Sequence, residues 1–255
     1  MNSLFTLVTP DLFGAALLIA GLAGIIKGMV GFAMPMVMIS GLSTFLPPDL
    51  ALAGLIVPTL VTNGMQALRQ GVGAALISVR KFRVFLLAGV VSLLISAQFV
   101  RIIPPETMLL LIGGPVALFA VIQLMGVRVS LPERSARIEA GVGGFAGLIG
   151  GFSGVWGPPT VLYLTALNTE KTEQMRVQGV IYGLGAVALF FAHIGSGVVR
   201  AETLPFSLAM VPPAVLGMWL GGKVQDRIDQ TMFKKATLVV LTLAALNLVR
   251  RALVG

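Results

Sequence analysis

The sequence predicts an all-α polytopic membrane protein made of two inverted-topology repeats, each of about five helical segments, with glycine- and proline-broken hairpins meeting near the bilayer midplane. Three observations predict it. Of 255 residues, 56% are hydrophobic and 11% charged, with a mean hydropathy of +0.97; so few charges cannot coat a water-soluble domain of this length, whereas lipid needs no polar coat. Residues 21 to 36, GLAGIIKGMVGFAMPM, return as 144 to 159, GFAGLIGGFSGVWGPP, with Gly21/Gly144, Ala23/Ala146, Gly24/Gly147, Ile26/Ile149, Gly28/Gly151, Gly31/Gly154 and Pro35/Pro158 in register. The third observation is where the basic residues fall, and it sets the direction of threading.

Apolar segments run at 12–27, 31–46, 50–68, 84–102 and 106–126, and again at 138–151, 155–167, 174–197, 204–222 and 231–249. A full helical span takes about 20 residues. The first two segments of each set are shorter than that and no polar loop divides them, so each pair is either a tight helical hairpin or one long broken helix. The third and fourth segments read as ordinary spans. The fifth carries the repeat onward, since Thr107-Met108 matches Thr231-Met232, Ala120 matches Ala244, Gln123 matches Asn247 and Leu124 matches Leu248. The polar, proline-bearing stretch 127–139 joins the halves. One membrane domain is therefore expected, with residues 1–127 as the first repeat and 128–255 as the second.

Charge separates the two readings of the short pairs. With a hairpin in each half, Arg69, Arg80, Lys81, Arg83, Arg128, Arg134, Arg137, Lys171, Arg176, Lys223, Arg227, Lys234 and Lys235 share one face, while Arg101, Arg200, Arg250 and Arg251 take the other. With a single long helix the loop from Lys223 to Lys235 would land opposite the loop from Arg69 to Arg83 and the bias would collapse. Inverted halves, both termini outside and a bacterial-type inner membrane follow as expectations. No cleavable signal is expected, because the N-terminal stretch lacks a basic region before its apolar run. The net charge of +8 is spent on topology, so no nucleic-acid partner is predicted. Absent cysteines and a lone histidine argue against thiol chemistry, thiolate metal sites and multi-histidine metal centres, and no cofactor is predicted.

Inverted repeats bring matching elements together around a two-fold axis in the membrane plane, so the two breaks should meet. Helices restarting near Phe32 and Val155 would aim unpaired N–H groups and positive dipole ends at the meeting point, which suits an anion. Gly28, Gly31, Gly151, Gly154 and Gly157 would let backbone approach a ligand, or would merely allow close helix packing. Ser153 offers a hydroxyl, and Trp156 a wall and an indole N–H. Lys27 stands where the second copy has Gly150; it either neutralises a bound anion or snorkels to the basic face. Asn63, Gln66 and Gln178 need polar partners inside the bundle, Arg176 reads as a positive-inside residue at a helix start, and His193 as an interior hydrogen bonder with proton coupling a lesser reading. The predicted partners are a small anionic substrate, the lipid bilayer, and protons or another ion for coupling.

The paired break segments, the stretch PPDLALAGLIVPTLVTNGMQALRQG that follows the first, and the two-half layout resemble the TauE/SafE family of sulfite and organosulfonate transporters across essentially the whole chain. That resemblance implies movement of a sulfur oxyanion or short sulfonate, and it carries over only the matched glycines and prolines. Met29, Val30 and Met34 are bulkier than the glycines frequent in the family's first motif, and Lys27 and Trp156 are this chain's own features. Two other readings stand beside transport by alternating access. An anion channel could use the same site. A rhomboid-like intramembrane protease is suggested by Gly151-Phe152-Ser153-Gly154 and Ala192-His193-Ile194-Gly195, but the serine motif is explained as the second copy of a repeat, and its first copy has no nucleophile.

Overall fold

The structure is a computed structural model that describes residues 7–99 and 133–254 together with scattered positions between 104 and 131. The predicted span at 106–126, its repeat matches at Thr107-Met108, Ala120, Gln123 and Leu124, and the basic residues Arg101 and Arg128 lie outside the described residues, wholly or in part. The rest is helical, with no strand among the described residues. The helices are α1 (Pro10–Val30), α2 (Met34–Leu42), α3 (Pro48–Leu68), α4 (Val72–Lys81), α5 (Arg83–Ala97), α6 (Ala136–Ser153), α7 (Gly157–Ala166), α8 (Lys171–Gly195), α9 (Leu204–Ala209), α10 (Val211–Arg227) and α11 (Gln230–Val254). Among the described residues α1, α3, α8 and the stretch Leu204–Arg227 are long and apolar enough to cross a membrane.

Helix α1 is longer than the sequence suggests. Pro10 occupies its first turn, where a missing N–H costs nothing, and at 21 residues it spans about 31 Å. It ends at Gly31, whose φ of +85° places it in the left-handed region while its N–H bonds back to the Lys27 carbonyl. Gly154 ends α6 the same way, with φ +69° and its N–H on the Gly150 carbonyl. After each turn the chain reverses: Gly41 near the end of α2 packs on Ile19 of α1, and Tyr163 of α7 donates a 3.2 Å hydrogen bond to Glu139 near the start of α6. Both short pairs are thus hairpins.

The halves interlock. α1 lies parallel to α10, with Gly21 beside Pro213, Gly24 against Ala214 and Gly28 against Met218. In the mirror arrangement α6 lies parallel to α5, with Gly143 against Phe85, Gly147 against Gly89 and Gly151 against Leu93. A methyl group on Gly24, Gly28, Gly147 or Gly151 would strike backbone of the facing helix, so these seams are close small-residue contacts. α3 and α8 run antiparallel between the two seams, linked where Asn63 and Gln66 donate to the carbonyls of Tyr182 and Met175.

These directions place the basic loops at one end. There Arg69 pairs with Asp226, Lys81 with Glu173 and Arg134 with Glu139, and Lys171 donates to the carbonyls of Gln225 and Ile228 that close α10. α1 runs toward that end and its counterpart α6 runs away from it, which is the inversion the charges predict.

Candidate functional site

The hairpin α1/α2 enters from the far end and α6/α7 from the basic end, and their tips pass each other. The Gly31 tip packs beside Gln178 and Met175 of α8, and the Gly154 tip beside Leu52 and Leu55 of α3. Between them is a cavity of about 280 Å3. Phe32, Ala33, Pro35 and Met36 line it from the first break, and Gly154, Val155, Trp156 and Gly157 from the second. Lys27, Asn63 and Tyr182 complete the wall.

Both short helices begin at this cavity, at Met34 and Gly157, two residues later than the sequence suggests, and neither has a side-chain cap. Proline in the first turn of each fixes the start. Their positive dipole ends therefore act at the cavity unmasked by a capping carboxylate or hydroxyl. Ala33 takes the left-handed conformation, with φ +66°, which costs an L-residue roughly 1–2 kcal/mol.

Lys27 is 1% exposed, so it does not snorkel to the basic face. Its ammonium donates to the Asn63 side-chain carbonyl and lies 6.0 Å from the centre of the Tyr182 ring. No carboxylate lies within ion-pair distance of it among the described residues. Asn63 is held in turn, its amide donating to the Tyr182 carbonyl at 3.3 Å. The Tyr182 hydroxyl donates to the Gly157 carbonyl at 3.1 Å, tying α8 to the start of α7. One buried cation and two helix N-termini give this mostly apolar cavity a local excess of positive charge.

Of the residues singled out in the sequence, Lys27, Phe32, Gly154, Trp156, Gly157 and Asn63 meet at the cavity. Gly31 is the turn beside it. Gly28 and Gly151 belong to the helix seams, so packing is the role the geometry gives them. The Ser153 side chain lies outside the described residues. Gln66 and Gln178 are buried between the cavity and the basic end, Gln178 with both amide atoms unpartnered. Arg176 is at the basic end, donating to Ser78 and Gln70, away from the cavity. His193 is buried near the far end, with Nδ1 2.9 Å from the Ser196 hydroxyl. Ala33, Met36 and Tyr182 are wall residues that sequence reasoning does not single out; all are apolar or aromatic and none carries a repeat match.

The family model for the sulfite exporter TauE/SafE family matches residues 16–248, nearly the whole chain. The chain belongs to the TauE/SafE family. TauE/SafE proteins are multi-pass membrane transporters of sulfite, a small sulfur anion. No curated protein and no solved structure matched in the comparisons made.

Proposed function

We propose that this chain carries a sulfur oxyanion or a short organosulfonate across the cytoplasmic membrane by alternating access, holding the anion between the two breaks against Lys27. The observation that carries the reading is the buried Lys27 ammonium, which faces the cavity with a neutral amide as its polar partner. An unanswered ammonium inside a membrane costs about 2.5–3.5 kcal/mol on insertion scales, and an anion of three oxygens would answer it while also meeting the positive dipole ends of α2 and α7. The basic end faces the cytoplasm in this reading, by the excess of lysine and arginine there, and both termini lie outside. Gln66 and Gln178 line the route between cavity and cytoplasm. Coupling to protons or to another ion is open to the same assay.

Lys27→Ala is expected to weaken binding of sulfite and methanesulfonate to the purified protein by about 10- to 150-fold, the worth of a charged hydrogen bond of roughly 1.5–3 kcal/mol. Its thermal unfolding should stay near that of the wild type. Unchanged affinity would remove Lys27 from the site. Saturating uptake with counter-transport in proteoliposomes separates a transporter from a channel, which would show neither.

A further inference from the structure

We propose that Trp156 sets the chain length of the anion this transporter accepts, by walling the charged cavity off from a second, apolar space. The inference rests on the anion site proposed above. Trp156 is 5% exposed and lines two spaces at once. One is the cavity with Lys27 and Asn63. The other is a half-open crevice between α5, α6 and α8, walled by Phe85, Leu86, Val90, Leu93, Ala146 and Ile181. The crevice is apolar on all sides, and the indole is the partition.

The repeat shows how room for that partition arises. A side-chain carbon on Gly150 would lie 2.8 Å from the indole and one on Gly185 3.2 Å from it. In the first half the matching places of Gly150 and Trp156 are held by Lys27 and Ala33. One half thus spends its volume on a cation and a small residue, and the other on a glycine and an indole. Tyr182 steadies the ring edge-on, with centroids 6.3 Å apart and planes at 64°. The result is a site lined by Lys27 as its charge and by an aromatic plate that also lines the apolar crevice. An alkyl substituent on an anion held at Lys27 that reaches Trp156 meets this plate. With the plate in place, a long substituent has nowhere to go. With it removed, the chain enters the crevice.

The test is the affinity profile of unbranched alkanesulfonates from one to six carbons, measured on the purified protein in lipid nanodiscs. The wild type should bind methanesulfonate and lose affinity as the chain grows. Trp156→Ala should reverse that slope, with affinity rising up to about fourfold for each methylene that enters the crevice. Trp156→Phe should give an intermediate profile, and it serves if the alanine variant does not fold. Val90→Phe in either background narrows the crevice and should erase the gain. A profile that keeps the wild-type slope in both Trp156 variants overturns the inference, as does a gain that survives Val90→Phe. Lys27→Ala separates the two claims. If methanesulfonate binding depends on Lys27 but chain length ignores Trp156, only the partition fails; if methanesulfonate ignores Lys27, the site itself is misplaced.

Discussion

A buried lysine needs an answer to its charge, and the residues around Lys27 give only part of one. It stands in the last turn of α1, where the negative end of the helix dipole favours a cation, and the Asn63 amide accepts its proton-bearing nitrogen. Neither neutralises it. Asn63→Asp would place a permanent carboxylate on the ammonium, so the protein would carry its own counter-ion. We expect this variant to fold and to lose at least about tenfold in sulfite affinity, because the anion must now displace an internal ion pair; binding at wild-type strength would show that the ligand does not compete for Lys27. Lys27 and Trp156 were legible in the sequence because both interrupt a repeat: one puts a charge, the other an indole, where the twin has a small residue. Tyr182 was not legible. α8 is buried on most of its faces, so no periodicity marks which residue on it meets the cavity, and the packing of α3 against it decides.

At the scale of elements, two kinds of helix break appear, and they differ in how readable they are. Gly31 and Gly154 announce themselves, since left-handed backbone suits glycine and the prolines after them can only restart a helix. The break inside α3 is hidden. Pro58 lacks an N–H and cannot bond to Gly54, leaving that carbonyl without its helical donor. Ser207 of α9 fills the gap: its hydroxyl donates to the Gly54 carbonyl at 3.4 Å and accepts the Val57 N–H at 3.1 Å. A serine some 150 residues away answers the carbonyl that Pro58 leaves without a donor in the helix that carries Asn63, and nothing local to either residue foretells it. Ser207→Ala removes the donor to the buried Gly54 carbonyl and should cost about 1–3 kcal/mol of stability. Adding Pro58→Ala restores the helical donor to Gly54 and should recover part of that loss in thermal unfolding. Strict additivity of the two substitutions would mean that Ser207 does not act on the carbonyl Pro58 leaves open.

The whole molecule is two interlocked halves, and the inversion was legible because charge is a global property: a count of lysines and arginines by loop needs no knowledge of packing. Which residues then join the halves was not legible, since they pair across more than 90 residues of chain. Arg69 of the first half pairs with Asp226 of the second, and Lys81 with Glu173, both at the basic end. Among the described residues the ion pair at the far end, Arg200 with Glu202, stays within one half. Charged links between the halves therefore lie at the basic end, and in the proposed alternating-access cycle opening the cavity toward that side would break them. Each exposed pair is worth only about 0.2–1 kcal/mol, weak enough to break in every cycle. The chain has no cysteine, so Gln66→Cys gives one reporter thiol on the proposed route from the cavity. Its labelling from the basic end by a charged maleimide should rise about two- to fivefold when Arg69→Asp or Asp226→Arg is added, through like-charge repulsion as well as the lost pair. The double swap, with both substitutions, restores the pair in reverse and should bring labelling back toward the parent rate. Labelling that ignores all three variants would mean that the Arg69–Asp226 link does not hold the basic end shut.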